Sequence, residues 1–132
     1  MANTFELSVI TPEKGVLETV AVSVTIPAYD GELGVLAHRA PLLVKLGAGW
    51  MRIETAEGQK LRLLVSGGFA QMGDNKLAVL TEQAKAPEEL DTARARAAME
   101  AAEAMVVTDD ASFEARARAL RFAKEMAKAA GE

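Results

Sequence analysis

The 132-residue sequence contains no cysteine. Disulfide staples, thiolate metal sites and thiol nucleophiles are thereby excluded, and the composition suits a reducing compartment. Histidine is almost as scarce: His38 is the only one, so no histidine cluster exists to hold a metal or relay a proton. Basic runs interleaved with aromatics are missing. The formal net charge of −4 creates no field that would gather nucleic-acid phosphates, so no nucleic-acid partner is expected. No stretch approaches the roughly 20 apolar residues that span a bilayer. Met1–Ser8 lacks a basic start followed by an apolar run. The expectation is a soluble chain whose membrane association, if any, runs through a partner.

The marks of catalysis are missing too. No glycine-rich loop ends in lysine and serine or threonine, and there is no nucleophile elbow or zinc-binding helix. Carboxylate pairs occur at Glu88-Glu89 and Asp109-Asp110. Both sit where helices are expected to begin, and capping and the helix dipole account for them without chemistry. The sequence therefore predicts no catalytic residue, no metal site and no enzyme.

What is there is an ordinary globular balance, 50% hydrophobic and 26% charged, divided into two halves of different period. Up to about residue 82 the apolar residues alternate, as on half-buried strands. Phe5, Leu7 and Val9 share one face, and Val20, Val22, Val24 and Ile26 are predicted to share another. Met51 and Ile53, then Leu61, Leu63 and Val65, then Leu77 and Val79 continue the series. Turn chemistry separates them at Thr11-Pro12, Asp30-Gly31, Gly47-Ala48-Gly49, Glu57-Gly58, Gly67-Gly68 and Gly73-Asp74-Asn75. Short strands at near-regular spacing predict an all-β antiparallel sandwich over residues 1–86.

After Pro87 the composition shifts to alanine, arginine and glutamate, and glycine is absent until Gly131. Alanine is the strongest helix former, so an antiparallel α-helical hairpin is predicted over 87–132. The first helix is expected to start near Pro87 and fade near Val106, and the second to run from about Ala111 to Ala130, capped by Asp109 or Asp110. Leu90, Ala97, Ala101 and Met105 are predicted to line the inner face of the first, and Phe113, Ala117, Leu120 and Ala127 that of the second. A seam of such small side chains buries little area, so the hairpin is expected to be marginal and open to switching by partner contacts.

The segment Gly31-Glu32-Leu33-Gly34-Val35-Leu36 followed by Ala40-Pro41-Leu42-Leu43 resembles the epsilon subunit of bacterial and chloroplast ATP synthases. Three further blocks agree in order and spacing: Gly49-Trp50-Met51-Arg52-Ile53, Val65-Ser66-Gly67-Gly68-Phe69 and Leu90-Asp91-Thr92-Ala93-Arg94-Ala95. The resemblance implies a non-catalytic central-stalk subunit of a proton-translocating F-type ATP synthase, on the cytoplasmic side of the bacterial inner membrane and held there through the complex. It implies that the sandwich binds the gamma subunit and the c-ring, coupling rotation to ATP synthesis. Asp30, Gly31, Glu32, Leu33 and Gly34 would face the c-ring, although Asp30-Gly31 also reads as a plain hairpin turn with Glu32 solvated. His38 and Arg39 stand where relatives usually have a glycine-histidine pair, so the histidine is one place early. A contact to gamma is implied for this pair, against the plainer reading of a surface loop.

Leu90, Asp91, Arg94 and Ala95 match a nucleotide-binding motif of some relatives, which implies weak ATP binding as the one cofactor interaction; the plainer reading is a solvated pair in a helical first turn. Relatives that bind ATP tightly carry further arginines where this chain has Ala101, and near Phe122 and Met126. Arg116, Arg118, Arg121, Lys124 and Lys128 would reach the catalytic beta subunits, and with them alpha, if the hairpin extends to inhibit hydrolysis. A wet basic face offset by Glu114 and Glu125 is the plainer reading. The alternative function is a stand-alone ATP-sensing hairpin switch.

Overall fold

A computed structural model describes residues 3–131. Residues 1, 2 and 132, at which the two predicted segments begin and end, lie outside the described residues. Nine strands occupy the first part: β1 (Phe5–Ile10), β2 (Gly15–Ala28), β3 (Gly31–Leu36), β4 (Leu42–Lys45), β5 (Ala48–Thr55), β6 (Lys60–Ser66), β7 (Phe69–Gly73), β8 (Lys76–Leu80) and β9 (Gln83–Lys85). Their order is β4-β7-β8-β1-β2-β5-β6-β9, with β3 added beside β2.

The 14-residue β2 belongs to both layers. Its first half pairs with β1, while its second half pairs with β3 on one side and β5 on the other. The inward positions of the two layers then meet in one core. Phe5, Leu7 and Val9 of β1 and Leu77 and Val79 of β8 join Met51 and Ile53 of β5 and Leu63 and Val65 of β6. These are the alternating residues that the sequence predicts, and their burial is the main favourable term for the sandwich. Every strand pair is antiparallel except β1 with β8, which is parallel. β1 already uses one edge for its hairpin with β2, and the β7–β8 hairpin delivers β8 to the other edge running the same way.

Two strand readings need correction. Val20, Val22, Val24 and Ile26 do not share a face, because the pairing of β2 with β5 shifts register between Ala21 and Ser23. The extra residue of this bulge turns Ala21 inward with Val24 and Ile26 and leaves Val20 exposed. Bulges are how a strand turns the corner between sheets. Gly47-Ala48-Gly49 is also not a turn throughout. Ala48 and Gly49 open β5, paired with Ser66 and Val65. At Gly49 a Cβ would lie 3.1 Å from Pro27 Cβ, so glycine here permits close approach of β2.

Beyond β9 the chain makes a single 3-10 turn at Pro87–Glu89, and then α1 (Thr92–Glu103) and α2 (Asp110–Ala130). The first helix thus starts five residues later than predicted, because Asp91 caps it: its Oδ1 accepts from Arg94 N at 2.7 Å. It ends earlier, with Ala104 as C-cap. Asp109 caps α2 through Ser112 N at 2.8 Å, and the Ser112 hydroxyl accepts from Asp109 N in return. These bonds hold the Asp109 carboxyl below its ordinary pKa.

The helix faces also differ from expectation. Ala97, Ala101 and Met105 are exposed, as are Phe113, Ala117 and Ala127, while Leu90 precedes α1 altogether. The buried residues are Ala95 and Ala102 of α1 and Phe122, Ala123 and Met126 of α2. Alanine on every side of a helix records no preferred face. The orientation is set by Phe122 and Met126, which fill the space over Ala48 and Leu64 on the outside of the sandwich.

Candidate functional site

The β2–β3 turn presents the residues assigned to a c-ring contact. Tyr29 and Asp30 form its tip, Gly31 follows at φ 137°, and Glu32 and Gly34 are exposed on β3 with Leu33 half-buried. Glu32 lies opposite Pro27, and Arg52 lies opposite Thr25 on the far side of β2. The two side chains meet across that strand in a bidentate pair, with Arg52 Nη1 to Glu32 Oε2 at 2.8 Å and Nη2 to Oε1 at 3.1 Å. The hydrogen bonds from Arg52 hold the Glu32 carboxyl below its ordinary range, and Glu32 raises the Arg52 guanidinium in turn.

A depressed folded-state pKa means the pair stabilises the fold above the unfolded carboxylate range and ceases to as pH falls through the depressed value. Both side chains are more than half exposed, 57% and 55%, so solvent screening keeps the effect small. An NMR titration of the Glu32 carboxyl is expected to give a midpoint below the ordinary one, and Arg52→Gln to move it up. An unmoved midpoint would show that the pair does not form in solution.

His38 and Arg39 are both exposed in the connection after β3. His38 has φ 64°, in the left-handed region that glycine adopts without penalty. Its N–H donates to Asn75 Oδ1 at 2.8 Å, and Asn75 Nδ2 donates to Thr4 O at 2.8 Å. One turn side chain thus ties the loop to the start of β1. His38→Gly keeps the backbone bond and removes the strain. It is expected to stabilise the chain by about 1 kcal/mol and to raise Tm by roughly 3 to 5 °C; a fall in Tm would contradict this.

The nucleotide-motif residues lie where the sandwich passes into the hairpin. Asp91 and Arg94 are side by side and exposed, with Arg94 Nε 3.4 Å from Asp91 Oδ2 and Arg94 Nη1 donating to Glu89 O at 2.9 Å. Leu90 and Ala95 are not beside them in solvent. They pack into the cluster of Ala48, Leu64, Phe122 and Met126.

The basic residues of α2 are spread around the helix. Arg116 and Arg118 are half-buried, whereas Arg121, Lys124 and Lys128 are exposed, and Lys128 lies 4.0 Å from Glu125. Arg118 and Arg121 line a groove with Tyr29 and Phe113. The offsetting acids face the sandwich instead: Glu114 accepts from Lys45 Nζ at 3.2 Å and Glu125 from Trp50 Nε1 at 3.2 Å. Arg62 covers the Trp50 ring, 4.2 Å from its centroid.

A surface that the sequence analysis does not single out lies on the outside of the other layer. Ile10 pairs with Leu80, and Leu80 with Phe69, so the three form a row across β1, β8 and β7. Leu43 of β4 lies on the same face, two residues from the Phe69 partner Lys45. All four are exposed, from 40% for Ile10 to 69% for Leu43. Apolar residues in contiguous outward positions mark a docking surface, and the signal was present as Phe69 and Leu80 out of phase with the buried Ala70 and Val79. Among the described residues, no group of three or more histidines or carboxylates is placed to hold a metal, and no helix is long and apolar enough to cross a membrane.

A sandwich that carries a docked two-helix hairpin and presents an apolar band defines the chain as a small module built on surfaces. The family described as the ATP synthase delta/epsilon chain β-sandwich domain matches residues 4–87. The ATP synthase epsilon chain of Pelotomaculum thermopropionicum is 42% identical over 76% of this chain and 74% of that protein. That of Synechococcus sp. is 37% identical over 97% of this chain and 98% of its own length. In the cryo-EM structure of Euglena gracilis mitochondrial ATP synthase, OSCP/F1/c-ring, a chain superposes with TM-score 0.75 at 27% identity, covering 100% of this chain and 84% of that one. A chain of the Tetrahymena thermophila central stalk/c-ring structure shares the fold, with TM-score 0.65 at 19% identity over 92% of this chain and 95% of that one. The chain belongs to the ATP synthase delta/epsilon chain family.

Proposed function

We propose that the chain is a non-catalytic rotor subunit of the central stalk of a bacterial F-type ATP synthase, joining the gamma subunit to the c-ring. The observation that carries this is likeness to named epsilon chains over both the sandwich and the hairpin. The sandwich, residues 1–86, is the stalk-binding unit, and residues 87–132 form the regulatory unit. The band of Ile10, Leu43, Phe69 and Leu80 supports a broad apolar contact to gamma, and His38 and Arg39, near the turn end of the β7–β8 hairpin, would add a separate contact to it. The Asp30–Gly34 turn, exposed and braced by the Glu32–Arg52 pair, supports the c-ring contact. Arg116, Arg118, Arg121, Lys124 and Lys128 supply the charge for a contact to beta when the hairpin is released. Association with the cytoplasmic face of the inner membrane then follows from the complex.

The test is co-purification of gamma and c-ring with the wild-type chain and with Phe69→Glu. Wild type is expected to retain both. A buried carboxylate in an apolar contact is expected to lower gamma recovery at least about tenfold. Wild-type preparations that consistently lack gamma would rule the assignment out. Comparing ATPase rates of complexes containing the full chain and a chain ending at Lys85 tests regulation: a faster rate on truncation supports inhibition by the hairpin.

A further inference from the structure

We infer that the free chain associates with a second copy of itself through the open edge of β3, the two strands running antiparallel about a two-fold axis at Gly34. This rests on the pairing of β2 with β3 and is independent of the stalk assignment.

The first ground is which backbone groups the fold leaves unpaired. Pro27 O accepts from Gly47 N at 2.9 Å, on the β5 side of β2. Pro27 therefore turns no backbone group toward Glu32, its partner on β3. The register continues unbroken, with Thr25 opposite Gly34 and Ser23 opposite Leu36. Glu32, Gly34 and Leu36 thus aim their N–H and C=O groups away from the sheet, while Gly31, Leu33 and Val35 bond to β2. Among the described residues, nothing pairs with the three outward sets.

The second ground is that this edge lacks the usual protection. β4 and β9, at the ends of the strand order, have four and three residues, and each finishes in a lysine. Short strands and lysine discourage strand addition. β3 has six residues and contains neither lysine nor proline. Its one charge is drawn aside, because Arg52 holds Glu32 across β2 at 2.8 and 3.1 Å, away from the open edge. Leu36 is 63% exposed, and a Cβ added at Gly34 would meet no atom within 4 Å.

The edge is also self-complementary. With Gly34 opposite its own copy, Glu32 falls opposite Leu36 of the second chain, and all three residues turn their free groups toward each other. Leu36 then lies against the hydrocarbon stem of the second copy's Glu32. A shift of one residue would set outward groups against inward ones, and a shift of two would leave an end unpaired, so one register is favoured. A strand this short buries well under roughly 1,000 Å², and a dissociation constant on the order of 10⁻⁴ M is expected. The pair covers Glu32 and Gly34, so it excludes any other partner from that turn while it lasts.

Sedimentation equilibrium of the full-length chain between roughly 10 µM and 1 mM is expected to show a change from mostly monomer to mostly dimer. Amide exchange at the two ends of that range locates the contact. Glu32, Gly34 and Leu36 are expected to slow roughly fourfold on concentration, and Gly31, Leu33 and Val35 not to change, since β2 holds them in both states. Gly34→Pro removes an N–H that β2 does not use and is expected to leave a folded monomer throughout. Gly34→Ala keeps the N–H and is expected to keep the dimer. A chain still monomeric at the top of the range would overturn the inference. So would a dimer that slows the amides around Phe69 and Leu80 in place of the β3 edge, or one that Gly34→Pro leaves undiminished. The wild-type exchange pattern decides the matter even where Gly34→Pro does not fold.

Discussion

Gly68→Ala is expected to lower the unfolding free energy by roughly 3 to 5 kcal/mol, a large fraction of the roughly 5 to 15 kcal/mol of a typical domain. Gly68 has φ 91°, a conformation that alanine adopts only under strain. An added Cβ would also lie 1.9 Å from Leu80 O and 2.8 Å from Thr81 Cα. These are backbone atoms, so no side chain can swing aside to relieve the clash. The neighbourhood is held on several sides. Leu46 N donates to Gly68 O at 2.9 Å, Thr81 N to Ile10 O at 3.0 Å, and the buried Thr81 hydroxyl to Ser66 O at 3.1 Å. Relief would require breaking the contact between the β6–β7 connection and the end of β8. Urea denaturation of the wild-type and variant chains measures the loss, and a difference under about 1 kcal/mol would show that this connection can shift.

Leu64→Ala is the second large effect, expected to cost about 3 kcal/mol and to fall mainly on the hairpin. Leu64 is fully buried but points away from the sandwich core, beneath Phe122 and Met126. Its neighbours Leu63 and Val65 point inward, so β6 is buried on both faces at this point. Truncation leaves a cavity in the smaller cluster, which has few other apolar contacts to compensate. The chain is then expected to open in part, with α2 released and the sandwich intact. Limited proteolysis checks this: cleavage between residues 86 and 110 should accelerate well before cleavage in the strands. Equal acceleration everywhere would mean that hairpin and sandwich unfold as one unit.

These two positions differ in how far they can be read in advance. Gly67-Gly68 stands out as a turn, since paired glycines in a strand series point to backbone that other residues cannot adopt. Leu64 is harder. Strict alternation puts it on the wet face, and only the run Leu63-Leu64-Val65 hints at a strand covered on both sides. The left-handed backbone of His38 was not legible, because nothing in the run Ala37-His38-Arg39 marks a residue of positive φ. The Glu32–Arg52 pair was not legible, because the residues are 20 apart and meet only after β3 and β5 flank the same strand.

The helix faces show the limit most clearly. Capping by Asp109 or Asp110 could be read locally, from aspartates placed before a helical run, and the structure selects Asp109. The inner face could not, since alanine fills both the buried and the exposed sides of α1 and α2. The bulge in β2 was hidden for a similar reason: Ala21 and Val20 both suit a strand, and which one enters the core depends on pairing with β5.

Composition and period alone determined a sheet-forming body, a change of regime near residue 86 and a two-helix tail, because alternation and helix propensity act over a few neighbouring residues. Four blocks in order added the family. Only the tertiary structure decided which side of each helix is buried, which residues face solvent as an apolar band, and that Asp91 and Arg94 serve the chain's own backbone. Those outcomes depend on space left between elements distant in sequence, and that space exists only once the strands have paired and the hairpin has closed over Leu64.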